Sequence, residues 1–161
     1  MTDQITKSQA LKPRPEDVNS PKAIVNALYD ALSGSAGGHN YQRLRSLYLE
    51  DARLIPIGNR FHATGKVHSM SVEEWIEDIT GYFEENAFYI REVQRHEDRF
   101  GSMIQVFSTY EAGNEEEGQM TRGIRAFQLL FRDDRWWIVN VMWDNETRDN
   151  PLPGEFTPYL W

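Results

Sequence analysis

The sequence predicts an α+β domain, with helices gathered in the first half and long antiparallel strands in the second. Three observations lead there. Apolar residues recur at helical spacing after the capping residues Ser20, Asn40 and Ser71. From Phe88 the period changes to two and holds to Glu146. The last two strands, residues 119–132 and 135–146, form a long hairpin around Asp133-Asp134, and its return strand opens with Trp136-Trp137-Ile138-Val139. Strands this rich in aromatic and β-branched residues need a large surface to pack against.

Residues 1–19 read as a flexible polar arm containing Pro13 and Pro15, and residues 20–161 as a single domain. Ser20 is a good N-cap, and Pro21 suits the first helical position because its missing N–H would have had no partner there. Ile24, Ala27, Leu28 and Ala31 make one apolar stripe, and Val25, Tyr29 and Leu32 make a second beside it, so much of this helix should be buried. Gly34 ends it. A second helix capped by Asn40 carries Tyr41, Leu44, Leu47 and Tyr48. Residues 52–57 read as a short strand and residues 58–70 as irregular. The third helix opens on a capping box, Ser71 with Glu74, and presents Val72, Trp75, Ile76, Ile79 and Phe83 at helical spacing. Strands are expected over residues 88–99, 102–112, 119–132 and 135–146, with Phe100-Gly101 as the turn between the first two.

The bulk properties narrow the function. A chain of 161 residues buries about 70% of the surface it would expose unfolded, so it needs no covalent staples. It has no cysteine, which excludes disulfides, thiolate metal sites and cysteine nucleophiles. A net charge of −8, from 25 acidic and 17 basic residues, opposes binding to nucleic acid and to anionic membranes. No apolar run approaches the roughly 20 residues needed to span a bilayer. The polar N-terminus lacks a signal-peptide core, so a cytoplasmic location is expected.

Several segments together carry a resemblance. They are LEDARLIPI at residues 49–57, FSTYEA at 107–112, RG-x-x-A-x-QL followed by RWWI within 122–146, and NPLPGEFTPYL at 150–160. In this order they resemble the nuclear transport factor 2-like superfamily over about residues 20–160. That superfamily includes the SnoaL-like polyketide cyclases, the ketosteroid isomerases and scytalone dehydratase, and the tail resembles an uncharacterised bacterial subgroup. The resemblance implies a cone-shaped α+β barrel, with three N-terminal helices packed on a strongly curved, mainly antiparallel sheet. It also implies a pocket between helices and sheet, and a homodimer formed through the sheet. The steroid isomerase pattern itself is broken. Its tyrosine position, four residues before Leu32, holds Leu28, with Tyr29 about 100° further round the helix. Asp51-Ala52 is followed by Arg53-Leu54-Ile55-Pro56, with no carboxylate for the general base.

Polar groups inside the strands are the remaining candidates. A two-residue turn at Asp133-Asp134 pairs Arg132 with Arg135. Extended outward, that register sets Gln128 opposite Val139, Ala126 opposite Val141, Ile124 opposite Trp143 and Arg122 opposite Asn145 on one face. The other face carries Arg125, Phe127, Leu129, Phe131, Trp136, Ile138, Asn140 and Met142. Superfamily pockets take an aromatic from the last strand, so the Trp143 face is expected to line the pocket. The expected ligand-binding residues are Tyr29, Trp75, Tyr110, Arg122, Gln128 and Trp143, with Ser108 beside them. Arg122 suits a carboxylate or other anion; its plainer alternative is an ion pair with Glu111 or Glu146 at the sheet rim. Trp75, with Ile79 and Phe83, also reads as ordinary core. The four histidines read as surface polar residues, and no metal site, phosphate loop or nucleophile motif is present, so no cofactor is expected. The expected function is binding of a small molecule in an apolar pocket, with cofactor-free isomerase, dehydratase or cyclase chemistry as its enzymatic form. The alternative is a non-catalytic association module that uses the sheet.

Overall fold

The computed structural model describes residues 12–158. Four α-helices lie among these residues: α1 (Pro21–Leu32), α2 (Tyr41–Arg45), α3 (Gly58–Thr64) and α4 (Val72–Glu85). The strands are β1 (Tyr48–Pro56), β2 (Tyr89–Phe100), β3 (Met103–Asn114), β4 (Gln119–Arg132) and β5 (Arg135–Asn145). They form one sheet in the order β1-β5-β4-β3-β2, with β1 parallel to β5 and every other pair antiparallel. This is the expected α+β cone of helices over a curved sheet.

The caps act as their chemistry dictates. The Ser20 hydroxyl accepts from Ala23 N, and Pro21 begins α1. Both arms of the Ser71–Glu74 capping box are made. The two stripes of α1 are buried together, from Ile24 to Leu32. Asp133 and Asp134 both take positive φ, as a two-residue hairpin turn requires. Several expectations change. Helix α2 stops at Arg45, because Tyr48 already pairs with Ile138 and starts β1. The segment expected to be irregular contains α3, which ends at Gly65 in the left-handed region. The turn between β2 and β3 sits on Gly101-Ser102, with Phe100 paired to Met103. His39, expected at the surface, is buried: its Nδ1 lies 2.7 Å from Leu32 O and its ring stacks on Phe83. Of the expected arm, residues 1–11 lie outside the described residues. Its end is packed against the domain, with Val18 buried and Asp17 held at 2.8 Å by Arg43.

The sheet is bent by bulges in β1, β2 and β5. The bulge in β5 overturns the register expected for the closing hairpin. Leu129 pairs with Ile138 and Gln128 with Asn140, so Val139 is extra. Beyond it the pairing shifts by one: Phe127 meets Val141, Arg125 meets Trp143, and Gly123 meets Asn145. Trp143 faces inward as expected, but Arg125 accompanies it. Arg122, Ala126 and Gln128 go to the outer face.

The core therefore lies on the side of Phe127, Leu129, Ile138, Val141, Ile104 and Val106, under α1 and α4. The neighbours Phe127 and Gln128 test this phase. Phe127→Ala should cost about 3–5 kcal/mol of unfolding free energy in urea. Gln128→Ala should stay within about 0.5 kcal/mol. The reverse order of effects would overturn the register.

Candidate functional site

The interior of the cone converges on one buried cation. Arg125, from the middle of β4, is only 6% exposed. Its Nε and Nη1 are buried and have no hydrogen-bond partner. The guanidinium instead lies 4.4 Å from the Trp143 ring centroid, 5.5 Å from that of Tyr110 and 5.9 Å from that of Tyr29. Three ring faces stabilise the charge by cation–π attraction, but they accept no N–H bond in the way an oxygen does. Tyr48 adds a further buried hydroxyl without a partner. The Tyr48 ring packs edge-on to Trp75, and Trp75 edge-on to Trp143.

The other hydroxyls around Arg125 are committed. Tyr29 OH donates to Ser108 Oγ at 2.8 Å, and Ser108 donates to Glu92 Oε2 at 2.5 Å. Arg95 Nε holds the second oxygen of Glu92 at 2.9 Å. Tyr110 OH donates to Asn145 Oδ1 at 2.6 Å. Gly123, opposite Tyr110, leaves the room for this contact, since a Cβ there would collide with the Tyr110 hydroxyl and the Asp144 carbonyl. Burial raises all three phenols, with the nearby Arg125 charge acting the other way. Tyr110 is pushed up to about 12, while Tyr29 and Tyr48 go further in the same direction. All three are therefore neutral hydrogen-bond donors at ordinary pH, and none serves as a base.

A cleft of about 290 Å³ opens beside this chamber, between α4 and the end of β5. Trp75, Ile79, Met70, Trp143, Asp78 and Asn145 line it. Trp143 is the partition: one face covers Arg125, and the side chain also walls the cleft. Helix α3 borders the cleft through Gly58 and is pinned by Asp144, which accepts from Gly58 N at 3.1 Å and lies 3.1 Å from His62 Nε2.

The comparisons with known proteins agree with this architecture. Neither a protein-family model nor a curated protein sequence matches the chain. Solved structures do. An NTF2-like protein of unknown function from Shewanella baltica superposes with a TM-score of 0.50 at 10% identity, covering 89% of this chain and 96% of its own. A candidate ketosteroid isomerase from Parabacteroides distasonis gives 0.56 at 11% identity, over 85% and 96%. A candidate calcium/calmodulin-dependent protein kinase II association domain from Xanthomonas campestris gives 0.56 at 19%, over 79% and 86%. The chain has the nuclear transport factor 2-like fold. Within that fold, the position where the steroid isomerases carry a tyrosine is the fully buried Leu28. The neighbouring Tyr29 points to Ser108.

Of the residues expected to bind ligand, the fold brings Tyr29, Trp75, Tyr110 and Trp143 together around Arg125 and the cleft. Arg122 and Gln128 are elsewhere. Arg122 makes a two-pronged ion pair with Glu146, at 2.9 and 3.1 Å. Gln128 is exposed and accepts from Asn140. Arg125 and Tyr48 were not expected here. The signal for Arg125 is its phase: it alternates with Phe127 and Leu129, the most apolar positions of β4.

The raised phenols set an alkaline limit. Unfolded, a tyrosine ionises near pH 10. In the fold these three keep their protons beyond that, so the native chain binds more protons than the unfolded one. Their contribution is complete below about pH 10 and is lost as pH rises through the folded values. Of the seven tyrosines, Tyr29, Tyr48 and Tyr110 should ionise only as circular dichroism reports unfolding. Reversible ionisation of all seven in the intact fold near pH 10 would contradict this assignment.

Proposed function

We propose that this protein binds a small organic molecule in the cone, admitted through the cleft between α4 and β5. The observation that supports it is the pairing of a tryptophan-walled cleft with a chamber of buried, unpartnered donors directly behind one of those tryptophans. A cavity of this size, mostly apolar with a few convergent polar groups, has the general form of a ligand site. The enzymatic form of this reading is cofactor-free proton transfer of isomerase, dehydratase or cyclase type. The carboxylate lining the cleft is Asp78, and Glu92 is wired toward the chamber through Ser108 and Tyr29.

The experiment is ligand-observed NMR with one-ring compounds, charged and neutral, against the wild type and Trp143→Ala. Binding that Trp143→Ala weakens by about tenfold or more is expected, as a lost aromatic wall implies. Hits indifferent to that substitution would place the ligand elsewhere and defeat the reading.

A second reading concerns the outer face of the sheet. Ile124, Ala126, Leu130, Met103 and Met142 turn outward there, and Met103 and Met142 are exposed. Part of this face is already covered, since Phe156 in the tail packs on Phe107 and its carbonyl accepts from the buried Thr109 hydroxyl. The uncovered apolar strip over β4 and β5 supports a homodimer joined face to face, and this is the surface a non-catalytic association module would use. Light scattering at micromolar concentration should return twice the chain mass for the wild type. The double variant Ala126→Glu/Met142→Glu should return one chain mass, because it buries like charges at the interface. A monomeric wild type would remove this reading.

A further inference from the structure

We infer that the chamber behind Trp143 is a recognition site for the carboxylate of an aromatic or unsaturated monocarboxylic acid, held by the Arg125 guanidinium together with the Tyr48 hydroxyl. The inference rests on the small-molecule reading above and adds the chemical class of the ligand.

The chamber lacks an acceptor for its cation. Arginine offers only donors, and a buried guanidinium is ordinarily matched by a carboxylate. Arg125 has none. Glu92, joined to the chamber by Ser108 and Tyr29, gives one oxygen to Arg95 and the other to Ser108. Glu146 is taken by Arg122 and by the Leu152 amide. Asp144 points to Gly58 N and His62. The unpartnered atoms in this part of the core are Arg125 Nε, Arg125 Nη1 and Tyr48 Oη. On Arg125 they are two N–H groups on different edges of the planar fork, and on Tyr48 a neutral hydroxyl whose proton burial retains. One cation beside a neutral hydroxyl donor calls for one anion, and a carboxylate can accept a charge-assisted bond from the guanidinium on one oxygen and a hydroxyl bond on the other.

The cleft supplies the rest of the ligand's description. Its walls include the indoles of Trp75 and Trp143, whose ring centroids stand 6.1 Å apart at 66°. Flat apolar groups pack well on such faces. The unpartnered nitrogens of Arg125 are shut off from solvent, so the carboxylate reaches them only when the Trp143 side chain rotates away from the guanidinium. Binding then exchanges a cation–π contact for a charge-assisted pair and satisfies donors that the closed chamber leaves unpaired. Arg95, the next arginine across the sheet, is already paired with Glu92 and Glu97, so the chamber offers one open cation, which favours a monoanion over a phosphate ester.

The test pairs acids with their neutral counterparts: benzoate with benzamide, and phenylacetate with phenylacetamide, with phenyl phosphate as the dianion, each titrated by calorimetry. The acids should bind about 10- to 100-fold more tightly than the amides. Arg125→Met should abolish that preference while keeping or raising the melting temperature, since it replaces an unpaired buried charge with an apolar side chain of similar length. A purely structural Arg125 would instead lower it. Tyr48→Phe, which keeps the ring, should reduce acid binding several-fold and leave amide binding unchanged. Equal affinity for acids and amides, full acid binding by Arg125→Met, or tighter binding of phenyl phosphate would each overturn the inference. Equal binding of acids and amides, abolished by Trp143→Ala, would leave the small-molecule reading standing. No binding by any of the compounds would defeat both.

Discussion

One extra residue in β5 decides which side chains meet inside this protein. Without the bulge at Val139, the turn at Asp133-Asp134 would carry Trp136 and Ile138 to one face and Trp143 to the other. With it, Trp136, Ile138, Val141 and Trp143 all point into the cone. A slip of one residue moves an entire strand face between core and solvent. Here that slip occurs within a strand and is used to keep both of its halves apolar on the same side. The same bulge adds to the bend that closes the sheet around α1 and α4. Arg125 is buried because it shares the core phase of β4 with Phe127 and Leu129, and the shift sets Trp143 opposite it.

Burying that charge is costly, and its surroundings only partly offset the cost. The aromatic rings of Tyr29, Tyr110 and Trp143 give it three favourable faces. The hydroxyls of Tyr29 and Tyr110 spend their protons on Ser108 and Asn145, which fixes the rings but offers Arg125 no acceptor through them. Other arginines in the fold are treated differently. Arg43 is paired with Asp17 and Asp30, Arg95 with Glu92 and Glu97, and Arg122 with Glu146. Arg135, also buried, donates to the carbonyls of Ser46 and Trp136. Beside these arginines, Arg125 differs in being left open at two buried nitrogens.

Much of the architecture was legible because it rests on local chemistry. The caps at Ser20, Asn40 and Ser71, the twin stripes of α1, and the Asp-Asp turn each act within a few residues. The contents of the site depend on register, which local signals fix only up to the first bulge. The sequence does carry a trace of it: the apolar phase of β5 runs through 136 and 138, then through 141 and 143, and only an inserted residue reconciles the two. Read that way, the Arg125 side of β4 becomes the core side at once. The ion pair of Arg122 with Glu146, weighed as the plainer reading of that arginine, follows from the same shift. Helix α3 was not legible, since GNRFHAT has no apolar period and its contact with β5 is made through the side chain of Asp144.

The end of β5 also decides how the chamber can open. Trp143 O accepts from Ile57 N, and the Asp144 carboxylate holds Gly58 N. Asn145 holds Tyr110, and Glu146 holds both Arg122 and the Leu152 amide at the start of the tail. These consecutive residues are thus bonded in turn to the segment leading into α3, to β3, to β4 and to the tail. The backbone here cannot swing out as a flap without breaking all of these contacts together. The indole of Trp143 meets the Arg125 guanidinium and the ring of Trp75. Such contacts re-form easily on a ligand ring. Opening by rotation of that one side chain therefore demands the least of the fold, and it leaves the pinned frame in place to position whatever enters.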